Sequence, residues 1–204
     1  MHKQKLQKRS NGVKILAIES SCDDSGIAIL EYSAKDCQPK ILANLVSSQI
    51  KIHAKWGGVV PMLAKREHQR NLPPLLKKAL DKSKSIKKSK SEIPRLDSQR
   101  QLVDARQVNS RQIQKLKSKI QNQVLKKILE REPELLKKLL PFLKKYQKPD
   151  IDYIAVTAGP GLEPALWVGV NLAKALSFIW NLPILPIDHI EGHIAANSAP
   201  PRRG

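Results

Sequence analysis

Apolar positions near both ends of the chain come in short runs separated by small polar residues, while the middle follows a helical period. Lys14-Ile-Leu-Ala-Ile-Glu19 reads as a buried strand and Ile27-Ala-Ile-Leu-Glu-Tyr32 as a second. Aliphatic and β-branched runs of this length, bounded by turn residues, are strand signals. The seven residues between them, Ser20-Ser-Cys-Asp-Asp-Ser-Gly26, are too few for a crossover helix, so an antiparallel hairpin is expected. Ile41 to Gln49 supplies a third strand. From Trp56 the pattern turns helical. Gly57-Gly58 gives a flexible entry and Pro61 suits a first helical turn. Leu63, Glu67 and Arg70, followed by Pro73-Pro74, predict one helix, a break, and another helix ending near Leu80. A Lys/Ser run from Ser83 to Ser91 has no apolar period and is expected to be disordered. Ile113, Leu116, Ile120, Val124 and Ile128 then fall on one helical face. Pro133 opens a shorter helix holding Leu135, Leu136, Leu139 and Leu140, so a basic helical hairpin is expected, its apolar face packed on its own domain or on a partner.

The last stretch alternates strand and helix. Asp152 to Ala158 reads as a strand, Gly159-Pro-Gly-Leu162 as a tight loop, Pro164 to Trp180 as a helix, Ile184 to Asp188 as a strand, and His189 to Asn197 as a helix. A β–loop–α–β–α order gathers ligands at the carboxyl ends of the strands. The fold class is therefore α/β, a mixed sheet flanked by helices.

Composition divides the chain. Of 204 residues 41% are apolar, enough for a core, but only 4% are aromatic, so that core is aliphatic. The formal charge is +19, and residues 77–148, with 22 Lys/Arg against 7 Asp/Glu, carry +15 of it. The organisation expected is residues 1–82 as the first part of a domain, 83–148 as a basic, partly disordered helical insertion, and 149–204 as the remainder of that domain. A charge of this size attracts polyanions, nucleic acid first and acidic membrane second. The two cysteines, Cys22 and Cys37, are too few for a disulfide framework and fit a reducing compartment. The apolar run Val13–Ile18 is too short for a signal segment or a membrane span, so the chain reads as soluble and cytoplasmic.

Three constellations carry chemistry. His189 and His193 stand four apart, which puts both imidazoles on one helix face. They are either two ligands of a metal such as zinc or iron(II), or a pair of exposed or internally satisfied imidazoles. Two ligands hold a metal poorly, since open catalytic sites have three. Glu191 lies off their face, so this is not the H-E-x-x-H pattern. Gly159 and Gly161 precede a helix, where backbone N–H groups can hold phosphate or carboxylate. The Glu19–Gly26 turn, with Ser21 and Asp23, is of the kind that approaches phosphate and its magnesium, or else is an ordinary hydrogen-bonded turn.

Taken in order, Ile18-Glu-Ser-Ser-Cys-Asp-Asp-Ser-Gly-Ile-Ala28, His53 with Gly57-Gly-Val-Val-Pro61, Ala64 with Arg66-Glu-His68, Thr157-Ala-Gly-Pro-Gly-Leu162 and His189-Ile-Glu-Gly-His193 resemble the N-terminal part of the tRNA threonylcarbamoyl transferase (TsaD) family. The resemblance covers residues 14–80 and 150–198. It implies an actin-like, ribonuclease-H-like ATPase domain. It also implies transfer of threonylcarbamoyl from threonylcarbamoyl-AMP to adenosine 37 of tRNA, with TsaB- and TsaE-type partner subunits. By it His189 and His193 hold one iron(II) or zinc together with an aspartate of a C-terminal domain, and magnesium accompanies the nucleotide. Asp23 becomes an orienting or electrostatic catalytic residue, and Ser21, Gly159 and Gly161 become substrate- or phosphate-binding. Met62 and Lys65 stand where many members carry Glu and Ser. The second domain is not in this sequence, so the chain is expected to be an incomplete, inactive fragment that binds metal weakly. Competing readings are a non-catalytic scaffold or tRNA-binding relative of the same superfold, and another actin-like ATPase.

Overall fold

A computed structural model describes residues 12–33, 39–87 and 118–198. Cys37, Ile113, Leu116 and the end of the Lys/Ser run lie outside the described residues. Strands β1 (Val13–Glu19), β2 (Asp24–Tyr32), β3 (Lys40–Ser48), β4 (Tyr153–Gly159) and β5 (Ile184–Asp188) form one sheet in the order β3-β2-β1-β4-β5. β1 and β2 pair as the expected antiparallel hairpin, β3 continues antiparallel to β2, and β4 and β5 join parallel to β1. Only β2 runs against the others. The hairpin turn is tighter than its composition suggests, because Asp24 and Ser25 already pair with Ser48 and Ser47 of β3.

The strands follow the period of two. Leu16, Ile18, Ile27, Ile29, Ala43, Ile154 and Val156 point to one face and are buried there. The helices α2 (Pro61–Lys82) and α5 (Glu163–Trp180) cover that face with Leu72, Leu76, Val168, Leu172 and Leu176. A short helix α1 (Ile50–His53) and a 3-10 turn (Ala54–Trp56) lead into α2.

Two expectations are corrected here. α2 does not break at Pro73-Pro74 but runs through them as one helix. Pro74 has no N–H for the carbonyl of Arg70, and that carbonyl accepts from Lys138 Nζ at 3.1 Å instead. Pro73 itself is buried, so its ring adds apolar contact where it removes a donor. The start of the Lys/Ser run is also ordered. Lys84, at φ +55°, closes α2 with Lys84 N donating to Asp81 O and Ser85 N to Leu80 O, a Schellman cap with lysine at the position glycine usually takes. Ile86 then packs on the core, and Gln147 N and Asp150 N donate to Lys87 O and Ser85 O.

Residues 118–128 are helical (α3) and α4 spans Pro133–Lys145. Leu125, Leu129, Leu135 and Leu139 are 0–2% exposed and belong to the same core cluster as the sheet. Each such leucine contributes about 1.5–3 kcal/mol by leaving water. Among the described residues of this stretch, the lysines and arginines thus sit on the outer sides of helices whose inner sides complete the core. Finally α6 (His189–Ser198) follows β5 directly, with Asp188 Oδ1 accepting from Ile190 N (2.8 Å) and Glu191 N (3.1 Å) as its N-cap. No helix among the described residues is long and apolar enough to cross a membrane.

Candidate metal and substrate cavity

The second face of the sheet carries small side chains. Ala17 of β1 pairs with Ala28 of β2 and with Ala155 of β4, and Glu19 pairs with Gly26. That row of small residues makes a floor. α6 overhangs it with His189, Gly192, His193 and Ala196, which share one helix face. Between floor and overhang lies a cavity of about 630 Å³ at the carboxyl ends of β1, β4 and β5, also lined by Ser21, Asp23, Thr157 and Asp188. Its size is that of a small-molecule or cofactor site.

Four of the residues singled out from sequence, Ser21, Asp23, His189 and His193, meet on this cavity. Gly159 and Gly161 do not line it, but Gly161 packs against the turn that does. Leu162 N donates to Ser21 O at 2.7 Å, and a Cβ on Gly161 would lie 2.7 Å from that same oxygen. Only glycine permits so close an approach. The loop therefore latches the Ser20–Asp23 turn in place.

His189 Nδ1 lies 3.2 Å from Ser21 Oγ and 3.4 Å from Glu19 Oε2, and its Nε2 lies 3.0 Å from His193 Nε2. The two rings meet edge to face at 4.5 Å. The network favours the tautomer with Nδ1–H directed at Glu19, which leaves the Nε2 lone pair facing His193. Two Nε2 atoms about 3 Å apart fit one metal, because ligands at about 2.1 Å from a tetrahedral zinc are separated by about 3.4 Å. A carboxylate behind the histidine is the usual outer support of such a ligand. Among the described residues no group of three or more His, Cys, Asp or Glu converges on one point.

Glu19 was not singled out by sequence reasoning. Its signal was a carboxylate closing an apolar strand immediately before the polar turn. Burial pushes its carboxyl up, but hydrogen bonds from Thr157 Oγ1, Ser21 and His189 outweigh this and hold it below its ordinary value, so it is a carboxylate at neutral pH. Cys22 is different: burial and the neighbouring Asp23 raise its thiol, which stays protonated and is a poor nucleophile.

Behind the turn, on the core side, runs a buried chain of polar groups. Val60 N donates to His53 Nδ1 (3.3 Å), His53 Nε2 meets Gln49 Oε1 (3.1 Å), and Gln49 Nε2 reaches His68 Nδ1 (3.3 Å), which Ser25 Oγ also approaches at 2.8 Å. His68 Nε2 ends the chain on Cys22 O at 3.0 Å. Thus the motif histidines His53 and His68 are internal struts that tie α1 and α2 to the cavity turn.

The family model of tRNA N6-adenosine threonylcarbamoyltransferase (TsaD) matches residues 40–93 and 111–203, which is most of the chain and includes α3, α4 and the His189–His193 helix. Two solved structures from Pseudomonas aeruginosa are similar: YeaZ, and a protein described by its similarity to the peptidase YeaZ. Each aligns at a TM-score of 0.43 and 14% identity over 91% of this chain and 49% of its own. The chain thus spans about half the length of these structures.

Proposed function

The chain belongs to the tRNA N6-adenosine threonylcarbamoyltransferase family, a family of transferases that modify tRNA, and on that premise we propose that it acts in N6-threonylcarbamoyladenosine synthesis. In that reaction the exocyclic N6 of adenosine 37 attacks the carbamoyl carbon of threonylcarbamoyl-AMP. The bond from that carbon to the phosphate oxygen breaks, AMP leaves, and the N6 proton is released. One observation carries the reading: the turn holding Ser21 and Asp23 and the helix holding His189 and His193 close on one cavity of substrate size.

The residues divide the work. Glu19, held ionised, accepts the Nδ1 proton of His189 and turns its Nε2 toward His193. His189 and His193 would hold one divalent metal, iron(II) or zinc, which when bound supplies Lewis-acid polarisation of the substrate carbonyl. Ser21 offers a hydroxyl and Asp23 a charge at the adenylate side, where magnesium could accompany the phosphate. The close approach of Gly161, with Leu162 N on Ser21 O, fixes the turn that presents both. Partner subunits of the TsaB and TsaE type, and tRNA itself, complete the assembly in this reading. With two protein ligands, the 204-residue chain by itself binds metal weakly.

The protein carrying this chain, supplied with such partners, threonylcarbamoyl-AMP and unmodified tRNA, is expected to form N6-threonylcarbamoyladenosine, measured by nucleoside mass spectrometry. His189→Ala with His193→Ala abolishes the product. Undiminished product with both imidazoles gone overturns the assignment.

A further inference from the structure

At the end of the sheet remote from the cavity lies a cluster of exposed lysines. The segment after α2 and the segment after α4 lie side by side there, joined by Gln147 N to Lys87 O and Asp150 N to Ser85 O. They bring together Lys77, Lys84, Lys87, Lys144, Lys145 and Lys148, all exposed. Tyr146 sits among them, its ring held by Phe142 at 5.1 Å between centroids. Lys77 Nζ and Lys145 Nζ lie 6.0 Å and 5.9 Å from the tyrosine centroid. Lys77 is paired with Asp81 at 2.7 Å. Among the described residues Lys84, Lys87, Lys144, Lys145 and Lys148 have no carboxylate partner.

The position rules out a part in the cavity chemistry. Asp150 and Asp152 bind Lys14 at the start of β1, whereas Glu19 at its end lines the cavity. Five residue steps along β1 separate them by about 17 Å, so a nucleotide in the cavity cannot reach this surface, but a long polyanion can. Exposed lysines beside an aromatic ring are the arrangement that tracks a phosphate backbone. We propose that this Tyr146-centred surface binds the RNA phosphate backbone and holds the nucleic acid while its reacting base lies in the cavity. The choice of RNA as the polyanion rests on the transferase reading above.

The test uses the full chain with Lys87→Gln, Lys144→Gln, Lys145→Gln and Lys148→Gln together. A charge-matched control carries Lys51→Gln, Lys55→Gln, Lys119→Gln and Lys174→Gln. Folding of both is checked by circular dichroism and thermal midpoint, and affinity for an unmodified tRNA transcript is measured from about 0.05 to 0.2 M salt. The first variant is expected to bind about tenfold or more weakly, with the slope of log K against log salt smaller by about 3. The control keeps the greater part of both. Equal losses in the two variants would mean net charge alone acts, and an unchanged slope in the first would remove the surface from RNA binding; either result overturns the proposal. So does the outcome in which the four lysines matter for phosphatidylserine vesicles and not for tRNA. The tRNA affinity reads this surface and N6-threonylcarbamoyladenosine formation reads the transferase assignment, so failure of the transferase reading and failure of this surface are separately visible.

Discussion

His68 has no solvent contact, and its partners decide which form it takes. Burial lowers its pKa; the accepting carbonyl of Cys22 and the charges of Glu19, Asp23 and Asp24 pull upward but do not win. His53, the other imidazole in the chain of hydrogen bonds, reaches it only through Gln49. The folded protein therefore holds His68 neutral, while the unfolded chain takes up a proton near the ordinary imidazole value of 6.5. The contribution of His68 is complete above that value and is lost as pH falls through it toward the lowered folded pKa, at a slope of at most about 1.4 kcal/mol per pH unit. Urea midpoints between pH 7.5 and 5.5 are expected to fall in the wild type and to fall less in His68→Gln, whose amide can still donate to Cys22 O. Parallel curves for the two would sink this account.

At the scale of elements, the joint between β1 and α5 explains why so much followed from sequence and where it stopped. Ser20 Oγ donates to Ala165 O at 3.0 Å and accepts from Gly169 N at 3.1 Å, so a hydroxyl at the strand end sits on one turn of α5. A Cβ on Gly169 would lie 2.5 Å from that oxygen. Gly169→Ala is therefore expected to destabilise by about 1–3 kcal/mol through overpacking, although alanine is the better helix former by about 1 kcal/mol. Ser20→Ala in the same chain is expected to recover part of the loss, because the next atom, Ser20 Cβ, lies 3.4 Å away. Additive losses in denaturant titrations would contradict this. The strands and α5 were legible because their apolar runs have the right length and clear punctuation. The histidine pair was legible because spacing and motif order agree. The continuity of α2 was not, since the lysine that takes up the Arg70 carbonyl lies 68 residues away. Nor was Glu19, whose role depends on Thr157, Ser21 and His189 from three other places in the chain. Local pattern cannot register partners supplied by tertiary contact.

For the whole molecule, the question is how a stretch carrying most of the net charge is built into an aliphatic core. Leu125, Leu129, Leu135 and Leu139 supply the apolar part of the answer, and Glu132 supplies the polar part. Its carboxylate is fully buried between α3 and α4, takes a 2.8 Å hydrogen bond from Asn171 of α5, and faces Lys65 Nζ of α2 at 3.5 Å. Glu132 gives Lys65 a counter-charge. Oε1 of Glu132 has no hydrogen-bond partner among the described residues, so the Lys65 charge is its principal compensation. Removing one member of such a pair leaves an uncompensated buried charge, whereas removing both does not. Lys65→Met is expected to cost about 3 kcal/mol on that ground. Glu132→Gln added to it is expected to restore about 1–3 kcal/mol as coupling, since the amide keeps an acceptor for Asn171 and carries no charge. Urea unfolding with an unchanged m-value is the measurement. Strictly additive losses would mean that Lys65 and Glu132 act independently.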